Sequence, residues 1–433
     1  MPPPITTTAG IAHNNGTGIV SSSAFLAAPL IGSLLRTPHT SPAASRRGTF
    51  HIFPNFFDDA HIVRVRVEID YAPLRRLLER GPFVGHGLVP MRIAQIAPLA
   101  ESVPPKFYGG TERVVAWLTD ELIELGHQVT LFATGDSRTR AELIAVWPRA
   151  LRLGRPRTDP MAAHAALLET MARRAGEFDI VHCHIDWTHL PLLSRHPTPF
   201  VTTFHGRLDL PGLSTVVRQF PSASFVSISD NQRVPLKEAN WLGTVYHGMP
   251  AALLQPSFAE GSYLAFLGRL TSEKGPEAAI RIAKATGIPL RIAAKLPQSD
   301  RRYFKEKVEP MIDGTHVRVI GEVNDQTKQD FLSRAGALLF PIQWPEPFGL
   351  VMIEAMACGT PVIAYRFGSV PEVIEDGITG FIVDSEEEAI ETIRHRLPKL
   401  DRRKVRAGFE RRFTARRMAE DYVRHYRTLV LGR

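Results

Sequence analysis

The sequence predicts an α/β protein with two parallel sheets, each covered by helices on both faces. Two series of short apolar runs support this prediction, one starting at Met91 and the other at Tyr263, because helical patterns alternate with the runs in both series. Between the two series, residues 250–262 follow neither a strand period nor a helix period. A chain of 433 residues is also long enough for two domains. We therefore expect two facing Rossmann-like domains.

The apolar runs predict six strands in each half of this region. In the first half, strands are expected at 93–97, 128–133, 179–184, 200–204, 225–229 and 244–246. In the second half, they are expected at 263–267, 290–294, 317–320, 337–341, 362–364 and 381–383. Parallel sheets bind ligands beyond the carboxyl ends of their strands, so the loops after these runs are the places to look for chemistry.

A Pro-rich loop after the first predicted strand leads into a helix, which Thr111 is expected to cap and Gly126 to end. The apolar face of this helix is formed by Val114, Val115, Leu118, Leu122 and Leu125. Gly109 and Gly110 precede the helix, and paired glycines allow a backbone to approach a ligand that side chains would block. Glycine pairs before helices are also often plain turns, so this feature alone is weak.

Composition limits the classes of function. No apolar run reaches the roughly 18 uncharged residues that a membrane span needs without Pro or Gly breaks. Cys183 and Cys358 lie in separate halves and in apolar patterns, which argues against a disulfide framework and favours a reducing cytoplasm. A net charge of +8 suits a polyanionic partner, but charge alone does not separate nucleic acid, anionic lipid and a nucleoside diphosphate.

Residues 1–90 differ from the rest of the chain. Residues 1–57 contain no Asp, Glu or Lys and are rich in Ser, Thr, Pro and Ala. Three explanations are open for this disordered or spurious extension: a signal or transit peptide, a disordered tail, and translation from upstream of a true start at Met91. We favour the third explanation, because Met91 opens the first predicted strand.

The stretch E-P-F-G-L-V-M-I-E places Glu346 and Glu354 at the two ends of a loop-to-helix junction. Gly349 lets the backbone approach a ligand, and a helix from about Leu350 to Cys358 would point its first free N–H groups outward. A phosphate is favoured at such an end, while Glu354 is placed to accept hydrogen bonds from ribose hydroxyls and Glu346 to hold a hexose hydroxyl. The alternative is an amphipathic helix with a surface Glu at each end.

This stretch, followed by A-M-A-C-G-T-P-V-I-A, resembles the donor-site signature of the retaining glycosyltransferases of family 4, which have the GT-B fold. The resemblance covers residue 91 to about residue 430. It implies an acceptor domain at 91–252, a donor domain at 253–410 and a last helix at 411–433 that returns to the acceptor domain. It also implies that Tyr422, Tyr426 and Leu429 contact that domain, and that the backbone from Phe348 to Leu350 meets the donor.

A second candidate loop, from Gly268 to Gly275, follows the first strand of the second half. Arg269 and Lys274 in this loop suit a diphosphate, because Arg binds phosphate oxygens in pairs and Lys adds a point charge. The resemblance assigns both residues the task of stabilising the leaving diphosphate. The alternative is a solvated loop ahead of a helix at 276–285. Lys295, at the end of the next strand, is a weaker candidate.

Two residues of the first half complete the candidate site. His205 follows a predicted strand in T-F-H-G, and the resemblance implies that it contacts the transferred sugar, while Gly110 lies against the donor phosphates. A structural loop histidine is the alternative for His205. His182 and His184 share one strand face, but two ligands do not complete a zinc site, so no metal is expected.

The resemblance implies a metal-independent hexosyltransferase that moves a sugar from a nucleoside diphosphate sugar to a hydroxyl acceptor in glycan or glycolipid synthesis. The acceptor is a glycan, a lipid-linked glycan or a small molecule. No nucleic-acid partner is expected, and no cofactor beyond the sugar nucleotide, which is a co-substrate. A cytoplasmic location, with peripheral contact at the inner face of a membrane, is a further expectation. The rivals are a nucleotide-sugar epimerase of similar fold and a non-catalytic subunit that binds nucleotides or glycans.

Overall fold

The computed structural model describes residues 89–106, 109–152, 154 and 159–432, together with four short strands nearer the N-terminus. Those strands form two antiparallel pairs, Gly10–His13 with Gly16–Ile19 and Thr49–Phe50 with Val67–Glu68. The chain divides into two units between Gly87 and Leu88, and the second unit contains both large sheets. The interpretation of residues 1–90 as an extension otherwise lies outside the described residues.

The first large sheet has seven parallel strands in the described part of the chain. In chain order they are β1 (Arg92–Ile96), β2 (Gln128–Thr134), β3 (Glu142–Trp147), β4 (Ile180–Cys183), β5 (Phe200–Thr203), β6 (Ser224–Ser227) and β7 (Trp241–Thr244). Their spatial order is β7-β6-β5-β4-β1-β2-β3. The strand order therefore reverses at β1.

The second large sheet has six parallel strands among the described residues. They are β8 (Tyr263–Arg269), β9 (Leu290–Lys295), β10 (Val317–Gly321), β11 (Ala335–Phe340), β12 (Val362–Tyr365) and β13 (Gly380–Val383), in the spatial order β10-β9-β8-β11-β12-β13. Here the order reverses at β8. We call the parts that contain the two sheets the first lobe and the second lobe, and they confirm the predicted α/β architecture.

Helices cover the sheets. The longer ones are α1 (Gly110–Glu124), α2 (Pro160–Arg174), α3 (Pro276–Thr286), α4 (Asp325–Ser333), α5 (Leu350–Ala357), α6 (Glu386–His395), α7 (Arg402–Arg412) and α8 (Ala415–Leu431). Shorter helical turns lie at Leu190–Leu193, Leu213–Arg218 and Val370–Val373. Within the described residues, no helix is both long and apolar enough to cross a membrane.

Three local predictions were wrong. Thr111 does not cap α1, because the helix begins at Gly110 and Gly109 is its N-cap. Strand β3 was not predicted. Among the described residues it pairs only with β2, at the sheet edge, and all six of its residues are exposed or half-buried. Its sequence also lacks the alternation of apolar and polar residues that marks a half-buried strand. Strand β7 ends at Thr244, where the predicted strand was expected to begin.

The chain crosses between the lobes at two adjacent points. The amide of Met249 donates to the carbonyl of Phe413, and the amide of Ala415 donates to the carbonyl of Met249. From there α8 runs back over the first lobe, where the fully buried Tyr422 and Tyr426 hydrogen-bond to residues of the first sheet. Leu429, partly buried, packs against the apolar core that includes Tyr422 and Tyr426.

Arginines of α7 hold the second lobe together from within. Arg402 donates to the carbonyls of Ser257, Ala335 and Ser333. Arg406, which is buried, donates to three more backbone carbonyls, those of Leu254, Ala357 and Ala251. Buried carbonyls need such donors. The positive charges of Arg402 and Arg406 therefore have a structural task within the second lobe.

Candidate active site

Two loops of the second lobe meet where the strand order of its sheet reverses. One loop follows β8 and the other follows β11, and these two strands are neighbours in the sheet. The amide of Gln343 donates to the carbonyl of Glu273 over 2.8 Å, which ties the loops to each other. A crevice at the carboxyl ends of strands, at such a reversal, is where parallel sheets bind their ligands.

Gly275 makes the close approach of these loops possible. Its φ is +67°, and a Cβ at this position would lie 2.1 Å from the carbonyl oxygen of Pro341. Any side chain would push the two loops apart, so only glycine fits both the conformation and the space. The approach brings Lys274, at the end of one loop, into an ion pair with Glu346 of the other.

The ion pair between Lys274 and Glu346 is shielded from water. The two side chains are 14% and 12% exposed. The ammonium nitrogen also lies 5.0 Å from the centre of the Trp344 ring, an attractive arrangement for a cation. Because removal of one partner would leave the other charge buried and uncompensated, the pair is costly to break. Lys274 is therefore not the cation of a solvated loop.

Arg269, the last residue of β8, lies in the same crevice but is less committed to protein partners. Its Nη2 donates to Glu273 over 2.6 Å, and both side chains are 35% exposed. Its Nε is buried and has no hydrogen-bond partner among the described residues. Lys295 ends the neighbouring strand β9, directly opposite Arg269 in the ladder. The crevice thus contains a guanidinium with an unused donor.

Helix α5 begins at the edge of this crevice. Gly349 is its N-cap, with φ +80° and no side-chain cap, so the first backbone N–H groups lack a side-chain partner there. A Cβ on Gly110 of the first lobe would lie 3.6 Å from Cδ1 of Leu350, the first residue of α5. The glycine loop of the first lobe therefore meets the helix start. Phe348 is buried, and its carbonyl accepts from Oγ of Ser369 over 2.8 Å.

Glu354, inside α5, is buried and paired with a lysine that the sequence did not reveal as a site residue. Its Oε1 accepts from the ammonium of Lys328 over 2.7 Å, and the side chains are 7% and 10% exposed. The ammonium of Lys328 also lies 3.4 Å from the carboxylate of Asp325. Both carboxylate oxygens of Asp325 accept, over 2.6 Å each, from Nη1 of Arg113 in the first lobe. A chain of alternating charges thus connects α1 with Glu354.

Two contacts bring His205 and its neighbours to face the loops of the second lobe. The guanidinium carbon of Arg207 lies 6.0 Å from the centre of the Trp344 ring. The ring of His247 stacks on that of His205 at 5.2 Å and meets the ring of Phe348 edge-on at 4.9 Å. The structure therefore brings His205 and the residues around Glu346 to opposite walls of one cleft.

Behind His205 lies a series of buried hydrogen bonds. Its Nε2 is 2.8 Å from Nδ1 of His184, and Nε2 of His184 is 2.7 Å from Oε1 of Gln95. The Nε2 of Gln95 donates to the hydroxyl of Tyr426, on α8, over 3.2 Å. We call these four residues the histidine chain. Burial lowers the pKa of His205 to about 3 and that of His184 well below its usual value, so both rings are neutral at pH 7.

His182 belongs to a side branch of the histidine chain. Its Nδ1 lies 2.7 Å from the hydroxyl of Tyr426, and its Nε2 lies 2.8 Å from Oγ1 of Thr203. Thr203 in turn hydrogen-bonds to Tyr422 over 3.0 Å. Both ring nitrogens of His182 are thus occupied. Among the described residues, no group of three or more His, Cys, Asp or Glu side chains is placed to hold a metal ion.

Two buried carboxylates flank the glycine loop of the first lobe. Glu101 is 2% exposed and accepts from Nη1 of Arg152 over 2.9 Å, but its Oε2 is without a hydrogen-bond partner in the described structure. Glu112 follows the loop, and a Cβ on Gly109 would lie 3.0 Å from its Oε2. Burial raises the pKa of both carboxyl groups. Neither residue was singled out from the sequence as a carboxylate of the site.

The residues that the sequence did not reveal had recognisable signals in two cases. Lys328 lies three and four positions before Phe331 and Leu332, so it shares the buried face of α4. Trp344 directly precedes the Pro345–Pro347 segment, where an aromatic ring beside a charged loop suits a cation. Arg113 and Asp325 had no such signal, because the two residues belong to different lobes and are 212 positions apart in the chain.

Two doubly wound sheets, with a charged crevice in the second lobe and the histidine chain in the first, form the arrangement expected of the GT-B fold. Residues 255–405 match the family model of the glycosyl transferases group 1. Residues 108–234 match the model of glycosyltransferase family 4. The chain belongs to the family 4 glycosyltransferases.

Individual relatives agree with this assignment. The chain is 27% identical over 327 residues to the phosphatidyl-myo-inositol mannosyltransferase of Mycolicibacterium smegmatis, covering 68% of this chain and 81% of that protein. It is 26% identical over 342 residues to the D-inositol 3-phosphate glycosyltransferase of Kribbella flavida, covering 64% and 78%. Among solved structures, AviGT4, a glycosyltransferase involved in avilamycin A biosynthesis, superposes with a TM-score of 0.59 at 26% identity, covering 79% of this chain and 99% of that one.

Proposed function

We propose that this glycosyltransferase moves a hexose from a nucleoside diphosphate sugar to a hydroxyl acceptor, with retention of the anomeric configuration. The main support is the juxtaposition of the Lys274–Glu346 pair with the unused donor of Arg269 and the open N-terminus of α5. Cations beside a free helix N-terminus suit a diphosphate, and a carboxylate next to them suits a sugar hydroxyl. Two relatives are named for glycosyl transfer to inositol-containing molecules, and this similarity favours a role in glycolipid or glycan synthesis.

In this proposal the second lobe holds the donor. Arg269, Lys274 and the amides from Phe348 to Leu350 stabilise the charge that develops on the leaving diphosphate. Gly110 closes over the phosphates from the first lobe. Glu346 accepts from a hydroxyl of the sugar. Glu354 accepts from the ribose hydroxyls, with Lys328 holding its other side.

The bond from the anomeric carbon to the diphosphate oxygen breaks, and a bond from that carbon to the acceptor oxygen forms on the same face. The acceptor's proton passes to an oxygen of the leaving phosphate, so no protein base is needed. His205 contacts the sugar as a neutral positioning group, since a ring with a pKa of about 3 is too weak a base at pH 7. Closure of the cleft would exclude water and limit hydrolysis of the donor.

No divalent ion and no further cofactor is part of this proposal, because protein cations and helix N–H groups meet the diphosphate charge. Transfer should persist in excess EDTA, with a retaining enzyme of known magnesium dependence as the control. Loss of transfer on chelation, restored by Mg²⁺ or Mn²⁺, would contradict metal independence.

A donor panel tests the function itself. Purified protein is incubated with UDP-, GDP- and ADP-hexoses, with and without hydroxyl acceptors such as inositol phosphates and short glycans, and all products are separated. Acceptor-dependent release of the nucleoside diphosphate together with an α-linked product is expected from an α-linked donor. Isomerised sugar nucleotide without an acceptor would indicate an epimerase, and binding without any turnover would indicate a non-catalytic subunit. Either outcome would overturn the proposal.

A further inference from the structure

We infer that Gln95, His184 and Tyr426 are positioning residues that fix His205 in one tautomer, with the proton on Nε2 and a lone pair on Nδ1. The inference rests on the proposed function, in which His205 contacts the transferred sugar. It adds the direction of that contact, because a lone pair can only accept. A hydroxyl of the sugar or of the acceptor must then donate to His205.

The hydrogen bonds of the histidine chain set this direction one after another. The Nε2 of Gln95 donates to Tyr426, so Oε1 of Gln95 faces His184 and can only accept. The Nε2 of His184 must therefore hold a proton. Since a neutral imidazole has one N–H, Nδ1 of His184 is an acceptor, and the 2.8 Å contact requires a proton on Nε2 of His205.

The other ring nitrogen of His205, Nδ1, is the atom left for a ligand. Its Nδ1 is buried and has no hydrogen-bond partner among the described residues. Buried polar atoms without partners cost free energy, and a ligand group that hydrogen-bonds to them removes that cost. With its proton held on Nε2, His205 offers an unused acceptor. A hydroxyl group fits this atom, whereas a phosphate oxygen would repel it.

The chain also gives α8 a part in the reaction. The hydroxyl of Tyr426 accepts from Gln95 and lies 2.7 Å from Nδ1 of His182, so its proton is directed toward His182. This arrangement holds the Gln95 amide in the orientation that the rest of the chain needs. A helix that crosses from the second lobe thereby sets the tautomer of a ring in the first lobe.

Nitrogen NMR measures the tautomer directly. Protein labelled with ¹⁵N at histidine is recorded with long-range proton–nitrogen correlation at pH 7.5, and His205 is assigned by the signals lost in His205→Asn. Protonated and unprotonated ring nitrogens resonate in well-separated ranges. We expect His205 to show a proton on Nε2. A proton on Nδ1 would mean that the Gln95 amide is turned over and every donor in the chain is reversed, which would overturn the inference.

Two substitutions of Gln95 test the link to turnover. Gln95→Met removes both hydrogen bonds at similar volume, and we expect kcat to fall about tenfold while the Kd for the nucleoside diphosphate stays unchanged. Gln95→Glu can only accept from His184, so it keeps the direction and should retain more of kcat than Gln95→Met. If Gln95→Glu is the more damaging of the two at equal thermal stability, the chain runs the other way and the inference fails.

Tyr426→Phe and Tyr422→Phe form a matched pair. Both remove a fully buried hydroxyl from the same face of α8, but only Tyr426 contacts Gln95. We expect similar losses of thermal stability, with a decrease in kcat for Tyr426→Phe and a mixture of His205 tautomers. Equal effects on kcat would reduce Tyr426 to a structural role. Failure of the wild type to transfer any sugar would contradict the proposed function but leave the NMR result standing.

Discussion

The two walls of the cleft solve the problem of binding polar groups in different ways. The second-lobe wall uses full charges in close pairs, Lys274 with Glu346 and Lys328 with Glu354. The first-lobe wall around His205 uses neutral rings and an amide, connected by hydrogen bonds of 2.7 to 3.2 Å. Charge matches a diphosphate, whose oxygens accept from any donor. Neutral groups with a fixed direction match hydroxyls, which both donate and accept.

The largest effect is expected at Lys274. Lys274→Ala should lower kcat about a hundredfold to a thousandfold, because a cation aimed at the developing charge is lost. It should also destabilise the fold by about 3 kcal/mol, since Glu346 is left buried without its partner. Turnover and chemical denaturation are measured side by side.

The double variant Lys274→Ala with Glu346→Gln separates the two effects of Lys274. Removing both charges should restore much of the stability and none of the turnover. If the double variant regains turnover together with stability, Lys274 has a structural role only and the second-lobe wall does not take part in catalysis through this cation.

Glu354→Gln should weaken binding of the nucleoside diphosphate about tenfold, because a neutral amide replaces a charged acceptor for ribose hydroxyls. Calorimetry with the nucleotide and with its 2′,3′-dideoxy counterpart provides the control. The wild type should prefer the ribonucleotide, and the variant should not. Equal affinity of the wild type for both nucleotides would remove Glu354 from the ribose site.

Neutral buried histidines of the first lobe should make the free energy of unfolding decrease as the pH falls. Burial lowers the pKa of two histidines of the first lobe to about 3: His205, and His189, whose Nε2 lies 2.6 Å from Oγ1 of Thr202. In the unfolded state these rings have their ordinary pKa of about 6.5, so the unfolded state binds more protons in acid. Their contribution is fully present above pH 6.5 and decreases as the pH falls toward 3, by up to about 1.4 kcal/mol per pH unit for each ring.

Urea denaturation between pH 7.5 and pH 4.5 measures this acid dependence, and His189→Gln, which removes a ring outside the histidine chain, should reduce the slope. If the urea concentration at the unfolding midpoint stays the same across that range, the two rings are protonated in the folded protein, which would contradict their neutral state.

The smallest effect is expected at Trp344. Trp344→Leu should lower kcat about fivefold, because the loss of a cation–π contact of about 1 kcal/mol loosens Lys274. Trp147→Leu, on the edge strand β3, is the matched control and should leave kcat unchanged. Equal values of kcat for the two variants would show that the ring does not help to position the cation.

Local motifs allowed the sequence to predict the second-lobe wall better than the first-lobe wall. Lys274 and Glu346 lie in short loops beside glycine and proline, Arg269 ends the strand before the first loop, and Glu354 lies in the helix after the second. Each of these segments is short enough to stand out in the sequence and to carry the family resemblance. The fold class was also predictable, because apolar runs and helical periods repeat through both halves. The roles of these residues in binding remain predictions until the experiments above are done.

Long-range partners could not be predicted. Gln95 and Tyr426 are 331 residues apart, and Lys274 and Glu346 are 72 residues apart. No local pattern indicates that a glutamine within a strand holds a histidine, or that a cation in a turn is buried. Edge strand β3 was missed for a different reason. Its residues are exposed or half-buried, which weakens the alternation of apolar and polar residues on which a strand prediction depends.

The paired crossing at Met249 and Thr414 determines how the cleft can open. A Cβ on Gly248 would lie 2.2 Å from the carbonyl oxygen of Thr414, so the two crossing segments touch backbone to backbone. Two connecting segments held side by side in this way form a hinge, which allows the lobes to rotate about the line of the segments and resists translation of one lobe along the other. We therefore expect the angle between the lobes to change while Tyr422 and Tyr426 of α8 remain packed on the first lobe, so that the four residues of the histidine chain move together.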